Sequence, residues 1–170
     1  HKGRINDLKR CIKSVYRDMK DSNINGAHYV WLDGPLDDKD NDMVNRLEDE
    51  LFPHLRVFAS AFNCGKGYGM NRLMSLADSE YLSFLDSDDW ILRGKTSQSL
   101  RFLESRDLDA CGTSYLSGDR SCNICDQNIY PTDTLDIITN FLFFPYLLFS
   151  SLTFKSNYIH SKKLCFNEDL

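Results

Sequence analysis

Two aspartates separated by one residue follow an apolar segment near the middle of the chain. The segment covers residues 81–85, and the polar turn after it reads Asp86-Ser87-Asp88-Asp89. A continuous apolar run of this length is typical of a strand covered on both faces, so we expect these carboxylates at a strand end. Hard carboxylate oxygens suit Mg²⁺ or Mn²⁺, and an ion held there can neutralise a departing diphosphate. A solvated acidic turn is the alternative explanation of such a triplet.

Two glycine-containing segments look like phosphate-binding loops without matching one. Gly94-Lys95-Thr96 is similar to the end of a Walker A loop, but Asp89 stands at the position of the first required glycine. In the second segment Gly65, Gly67 and Gly69 alternate, and the third glycine has the wrong spacing for a dinucleotide fingerprint. We expect these three glycines to form the first turn of a helix and to let a ligand approach the backbone closely.

Helical and extended patterns alternate along the first half of the chain. Helices are predicted from apolar periodicity near residues 5–19, 43–51 and 70–77, and strands at residues 28–32, 55–59 and 81–85. Asn6 or Asp7 is expected to cap the first helix. The alternation predicts a mainly parallel sheet, with ligands at the carboxyl ends of its strands. Asp33 and Asp86 follow two such strands and are expected on the same rim.

The second half is predicted less regularly. Leu100 and Leu103 indicate a helix, residues 110–116 a strand, 117–130 a polar turn region, 135–144 a helix and 147–154 a strand. Asn140 and Pro145 interrupt the apolar stretch from 137 to 154, which argues against a membrane-spanning helix. A buried helix followed by a strand is favoured, and a face that leans on a membrane is the alternative.

Composition excludes some functions. The formal net charge of −5 argues against a non-specific nucleic-acid binder, which needs a basic face. Of the six cysteines, Cys122 and Cys125 alone are close in sequence. They could form half of a zinc site, but free thiols near a turn are favoured, as expected in the cytoplasm. Peripheral contact with the inner face of the membrane is a further expectation.

Taken in order, the motifs resemble those of the family 2 glycosyltransferases. The segment from Asn63 to Asn71 is similar to the family's Asn-x-Gly…Asn loop and helix, and Glu80 to Asp89 to its "EY…DSDD" motif. Asp33-Gly34-Pro35-Leu36 resembles the "DGPL" loop of a subgroup found among bacterial polysaccharide-building enzymes. The likeness covers nearly all of the chain and is strongest from residue 63 to residue 89.

The resemblance implies a GT-A fold, which is α/β with a Rossmann-like, mainly parallel central sheet flanked by helices. It implies one domain over residues 1–170, with a nucleotide-sugar-binding half (1–90) and an acceptor-side half (91–170). The implied cofactor is Mn²⁺ or Mg²⁺, with Asp88 as the main ligand and Asp86 as a ligand of the ion or the ribose. The implied contacts of the sugar donor are Asp33, Asn63, Gly65, Lys66, Asp86 and Asp89.

Several positions depart from the family pattern. The family's first strand is expected before His1, and the glycine usual after Asn71-Arg72 is Leu73. The segment from Phe166 to Leu170 resembles the one just upstream of the family's catalytic acidic pair, so the general base is expected beyond Leu170. Glu168 and Asp169 are weaker candidates for that base. The domain is therefore expected to be incomplete at both ends.

The resulting expectation is an inverting, metal-dependent hexosyl- or hexosaminyltransferase. It would move a sugar from a nucleotide-diphosphate sugar, with UDP as the expected nucleotide, to a glycan or lipid-linked acceptor in surface polysaccharide synthesis. One alternative is a nucleotidyltransferase, which is expected to have a basic glycine-rich loop near its N-terminus. The other is a non-catalytic domain that binds nucleotides or glycans.

Overall fold

The computed structural model describes residues 2–119, 123–133, 135–137, 139 and 148–168, in which helices and strands alternate. The helices are α1 (Lys2–Asp21), α2 (Asp38–Leu51), α3 (Lys66–Leu76), α4 (Lys95–Arg106) and α5 (Ser156–Ser161), with a 3-10 turn at Phe149–Ser151. The strands are β1 (His28–Leu32), β2 (Leu55–Ala59), β3 (Tyr81–Ser83), β4 (Ala110–Gly112), β5 (Tyr115–Gly118), β6 (Ile124–Asn128) and β7 (Leu152–Lys155). The predicted α/β class is confirmed.

The main hydrophobic core lies between α1, α2 and the β1–β2 pair. Its buried members recur at helical spacing on α1 and α2, as the apolar periodicity predicts. They are Leu8, Ile12, Val30, Val44, Leu47, Leu51 and Leu55. At its N-terminus α2 is capped by Asp37, whose carboxylate accepts a hydrogen bond from Asp40 N at 2.8 Å, and its acidic first turn faces the positive end of the helix dipole.

Strand pairing differs from the mainly parallel arrangement that we predicted. Among the described strands, β1 and β2 pair in parallel, whereas β7 lies between β3 and β4 and is antiparallel to both. β5 and β6 form a separate antiparallel pair. Local alternation of helices and strands indicates the parallel crossover from β1 to β2. It carries no signal for a strand such as β7, which returns from a distant part of the chain.

Some predicted boundaries were also wrong. α1 begins at Lys2, so Asp7 does not cap it but pairs with Arg10 inside the helix at 3.2 Å. β3 ends at Ser83, two residues earlier than predicted. The predicted strand 110–116 is divided between β4 and β5, and the polar region 117–130 contains β6.

The segment from 135 to 154 is described only in part. Residues 135–137 and 139 are helical, as predicted, and the rest of the predicted helix lies outside the described residues. The strand predicted for 147–154 is a 3-10 turn followed by β7. Within the described ranges, no helix is both long enough and apolar enough to cross a bilayer.

A buried carboxylate joins α1 to the start of α4. Asp18 has no exposed surface, and its two oxygens accept hydrogen bonds from Gly94 N (2.5 Å) and Thr96 N (3.0 Å). These amides belong to the first turn of α4, where N–H groups lack partners inside the helix. The segment that looked like the end of a Walker A loop thus binds the chain's own carboxylate where such a loop would bind phosphate.

Removing this carboxylate should destabilise the fold. In Asp18→Ala two partly buried amides lose their acceptor. Each such loss costs about 1–3 kcal/mol, so we expect the free energy of unfolding to fall by about 2–6 kcal/mol. Asp21→Ala is the matched control on the same helix, because the Asp21 side chain forms an exposed ion pair with Arg93. Its loss should cost less than about 1 kcal/mol. Urea denaturation measures both. Equal losses would contradict the structural role of Asp18.

Candidate functional site

The carboxylate of Asp33 organises the glycine-containing loop before α3. Asp33 follows β1, and its Oδ1 accepts a hydrogen bond from Cys64 N at 2.7 Å while its Oδ2 accepts one from Gly65 N at 3.0 Å. The side chain of Asn63 also accepts from Gly65 N, at 3.2 Å. Three residues predicted to contact a sugar donor are therefore brought together. Two backbone bonds leave further lone pairs on the Asp33 carboxylate for a ligand hydroxyl.

The three alternating glycines have different roles. Gly65 precedes the first turn of α3 with φ 89°, and a Cβ added there would meet nothing within 4 Å. Gly67 and Gly69 lie inside α3, where a Cβ would collide with the backbone of Asn167 and with the ring of Trp31, respectively. Gly67 and Gly69 thus allow protein groups to approach α3 closely, whereas the close approach of a ligand stays a prediction. Open space for a ligand lies at Gly65.

An ion pair connects α3 to the acidic turn after β3. Lys66, the first residue of α3, places its Nζ 2.5 Å from Oδ1 of Asp86. The side chains of both remain partly exposed, at 64% for Lys66 and 35% for Asp86. Asp33 and Asp86 were predicted to share one rim of a single sheet, but they follow β1 and β3, which belong to different sheets. They are connected indirectly, through the loop and the start of α3.

Side chains of α1 and of the 3-10 turn form hydrogen bonds with the acidic turn and the residues after it. Asp86 N donates to Oγ of Ser150 at 3.0 Å, and Ile91 N donates to Oγ of Ser14 at 3.1 Å. Cys11 places its thiol 3.7 Å from the carbonyl oxygen of Asp86. Cys11, Ser14 and Asp18 lie on one face of α1 at spacings of three and four residues. This face therefore contacts the whole segment from Asp86 to the start of α4.

The carboxylates of the turn crowd each other electrostatically. Burial raises the pKa of the Asp89 carboxyl, the hydrogen bond with Ser150 opposes the shift, and the charges of Asp88 and Asp86 add to it. Burial and the same three carboxylates raise the pKa of the Cys11 thiol to about 12. Cys11 is therefore a protonated structural thiol rather than a nucleophile. A cation bound at the turn would reduce the repulsion between its carboxylates.

The residues of the turn fit a divalent ion in part. No group of three or more His, Cys, Asp or Glu side chains in the described ranges is arranged to hold a metal by itself. Mg²⁺, however, is usually bound by one or two carboxylates together with water and substrate phosphate. Asp88 is exposed, and Asp86 is engaged by Lys66. Asp88 and Asp86 thus fit as two ligands, with Lys66 as the competitor of the ion at Asp86.

A second hydrogen-bonded contact fixes the segment that contains Glu168. The amide of Asn71 on α3 donates to the carbonyl oxygen of Phe166 (3.0 Å) and to Oε1 of Glu168 (2.7 Å), and its oxygen accepts from Phe166 N (2.8 Å). The ring of Phe166 packs against Phe84 and Phe149. Glu168 therefore lies against α3, next to a cavity of about 460 Å³ that His160 and Lys163 help to line. Asp169 lies outside the described residues.

Sequence reasoning missed three residues that support the site. The sequence carried signals for two of them: Asp18 breaks the apolar face of α1, and Ser150-Ser151 interrupts an apolar run. Asn71 was recognised as part of a motif. Its hydrogen bond to Phe166, 95 residues further along the chain, leaves no signal in the neighbouring sequence.

The cysteines of the described ranges are free. They are Cys11, Cys64, Cys111, Cys125 and Cys165. This agrees with the prediction of unpaired thiols. Cys122 lies outside the described residues, so the prediction of free thiols at Cys122 and Cys125, with half a zinc site as the alternative, stays a prediction.

Comparisons with known proteins identify the family of the chain. The family model described as "Glycosyl transferase family 2" matches residues 2–153. Among curated proteins, no sequence matches the chain.

Solved structures of S. aureus TarS are similar in fold. TarS 1-349 superposes with a TM-score of 0.69 at 17% identity, covering 96% of this chain and 47% of that one. The complex of TarS 1-349 with UDP-GlcNAc superposes with a TM-score of 0.69 at 17% identity, covering 94% of this chain and 44% of that one. A further crystal structure of S. aureus TarS superposes with a TM-score of 0.70 at 18% identity, covering 96% of this chain and 28% of that one. The chain thus spans less than half the length of these structures. Their similarity to this chain confirms the predicted GT-A fold.

Loss of the Asp33 carboxylate should loosen the glycine-containing loop without unfolding the protein. In Asp33→Ala we expect the amides of Cys64 and Gly65 to exchange hydrogen at least about tenfold faster, because hydrogen bonds to a charged group contribute about 1.5–3 kcal/mol. Asp37→Ala, which removes the cap of α2, is the control and should leave these amides unchanged. Hydrogen–deuterium exchange read by mass spectrometry measures both. Unchanged exchange in Asp33→Ala would contradict this organisation of the loop.

Proposed function

This chain belongs to glycosyl transferase family 2, and we propose that it transfers a hexosyl or hexosaminyl group from a nucleoside-diphosphate sugar, with inversion, to a glycan or lipid-linked acceptor. The proposed setting is the synthesis of a surface polysaccharide on the cytoplasmic side of a membrane. The observation that carries the proposal is the continuous link from Asp33 through Gly65 and Lys66 to Asp86. That link assembles the groups that a nucleotide, a diphosphate and a cation would need.

The nucleotide is proposed to bind along the loop between Asp33 and Gly65. The Asp33 carboxylate keeps acceptor capacity for a ribose or base group, and the space beside Gly65 is open. The first N–H groups of α3 add the positive end of a helix dipole, which favours a diphosphate. We propose UDP as the nucleotide because TarS, which has a similar fold, was solved with UDP-GlcNAc and with UDP.

A divalent ion, Mn²⁺ or Mg²⁺, is proposed to bind at Asp88 and Asp86. Asp88 is exposed toward solvent, and Asp86 lies two residues before it in the same turn. The ion would supply positive charge to the diphosphate as it departs. Asp89, half-buried and hydrogen-bonded to Ser150, is proposed to contact the sugar of the donor.

The acceptor hydroxyl is proposed to lose its proton to a carboxylate and to attack the anomeric carbon in line. In the resembled family, the base lies a few residues after the segment that Phe166 to Leu170 matches. Glu168 is held by Asn71 against α3, which supports a structural task for this carboxylate. We propose that the general base lies beyond Leu170. Glu168 and Asp169 are the alternatives, which substitution would test.

The test of this function measures binding of UDP-sugars to the whole protein by calorimetry, with and without Mn²⁺. We expect Mn²⁺ to strengthen binding. In Asp88→Asn this enhancement should disappear, with affinity reduced at least about tenfold, because a charged ligand of the ion is lost. Asp42→Asn, in the exposed acidic run of α2, is the control and should behave like the parent protein. Equal enhancement by Mn²⁺ in Asp88→Asn would refute the metal assignment.

Turnover separates the proposal from its alternatives. Incubation of the whole protein with a UDP-sugar and a panel of acceptors should release UDP and form a glycosylated product. Release of pyrophosphate from a nucleoside triphosphate and a sugar phosphate would instead identify a nucleotidyltransferase. Binding of the UDP-sugar with neither hydrolysis nor transfer would identify a non-catalytic binding domain.

A further inference from the structure

The ion pair between Lys66 and Asp86 engages the same carboxylate that a divalent ion would use. Nζ of Lys66 lies 2.5 Å from Oδ1 of Asp86. In the described structure Lys66 therefore supplies positive charge to a turn with three neighbouring carboxylates.

This ion pair can be exchanged at little cost. Both side chains are partly exposed, and exposed pairs of this kind contribute little to stability because water screens them and long side chains lose freedom. A divalent ion brings twice the charge of an ammonium group and can bind Asp88 as well. The ion should therefore displace Lys66 from Asp86, while the fold stays unchanged.

Once displaced, Lys66 remains close to the place proposed for the diphosphate. Lys66 is the first residue of α3 and follows Gly65, where the space is open. A lysine is a mobile point charge on a flexible stem, which suits a change of partner from carboxylate to phosphate. The same side chain can thus meet the negative charge of the turn before the ion binds and the negative charge of the diphosphate afterwards.

We propose that Lys66 holds the Asp86 carboxylate while no ion is bound, is displaced from it by the divalent ion, and then pairs with the diphosphate of the sugar donor. This inference rests on the proposed function, because it assumes that the ion and the nucleotide bind at this site. It assigns Lys66 two successive partners and makes the ion a precondition for its contact with the nucleotide.

The exchange predicts that removing the ammonium group has opposite effects on two affinities. In Lys66→Met, Mn²⁺ alone should bind about two- to fivefold more tightly, because its competitor at Asp86 is gone. UDP in the presence of saturating Mn²⁺ should bind at least about tenfold more weakly, because a charged partner of the diphosphate is lost. A merely structural loss would weaken both.

The measurements are made on the whole protein. Electron paramagnetic resonance of free Mn²⁺ gives the affinity for the ion without nucleotide, and calorimetry gives the affinity for UDP with Mn²⁺. Lys66→Arg, which keeps the charge, should change each affinity less than Lys66→Met. Lys9→Met, at an exposed position of α1, should change neither. Circular dichroism and urea denaturation establish that each variant is folded.

Each other outcome overturns the inference in a recognisable way. If Lys66→Met weakens UDP binding but leaves Mn²⁺ affinity unchanged, Lys66 does not compete with the ion. If Mn²⁺ binds more tightly but UDP binding is unchanged, Lys66 does not pass to the diphosphate. If the parent protein binds both and Lys66→Met alters neither, the inference alone fails. If the parent protein binds neither Mn²⁺ nor any UDP-sugar, the proposed function fails as well.

Discussion

Two hydrogen bonds to one carboxylate determine where α3 begins, and the site depends on that point. Asp33 accepts the amides of Cys64 and Gly65, so the loop turns into α3 at Lys66 beside the end of β1. From there Lys66 reaches Asp86, while Gly67 lets the backbone of Asn167 approach the same helix. A shift of the first turn of α3 would separate all of these groups at once.

The opposite side of the site is fixed by α1. One face of this helix carries Cys11, Ser14 and Asp18, which contact the acidic turn, the segment after it and the start of α4. The buried Asp18 carboxylate finds its partners in helix amides rather than in a cation, which satisfies its charge within the fold. The acidic turn is therefore supported by rigid elements, while the carboxylates of Asp86 and Asp88 stay accessible.

Local patterns predicted the elements better than the pairing of strands. The helices with clear apolar periodicity and the strands β1 and β2 were found from sequence. Asp33 and Asp86, predicted at one rim of a single sheet, follow strands of two different sheets and are connected through Gly65 and Lys66. The antiparallel pairing of β7 with β3 and β4 was not predicted, because pairing over a long sequence separation leaves no periodic signal. Ser150 and Asn71 were missed for a related reason, since a hydrogen bond between distant segments depends on the tertiary fold and not on neighbours in sequence.

The central claim is that the link between Asp33 and Asp86 is the binding site of a nucleotide and its ion. A crystal structure of the whole protein with UDP and Mn²⁺ tests it most directly. The account predicts the diphosphate at Gly65 and Lys66, with Mn²⁺ on Asp88 and Asp86 and the Lys66–Asp86 pair broken. UDP bound instead in the cavity between α3 and α5, with that ion pair intact and no ion at Asp88, would contradict it.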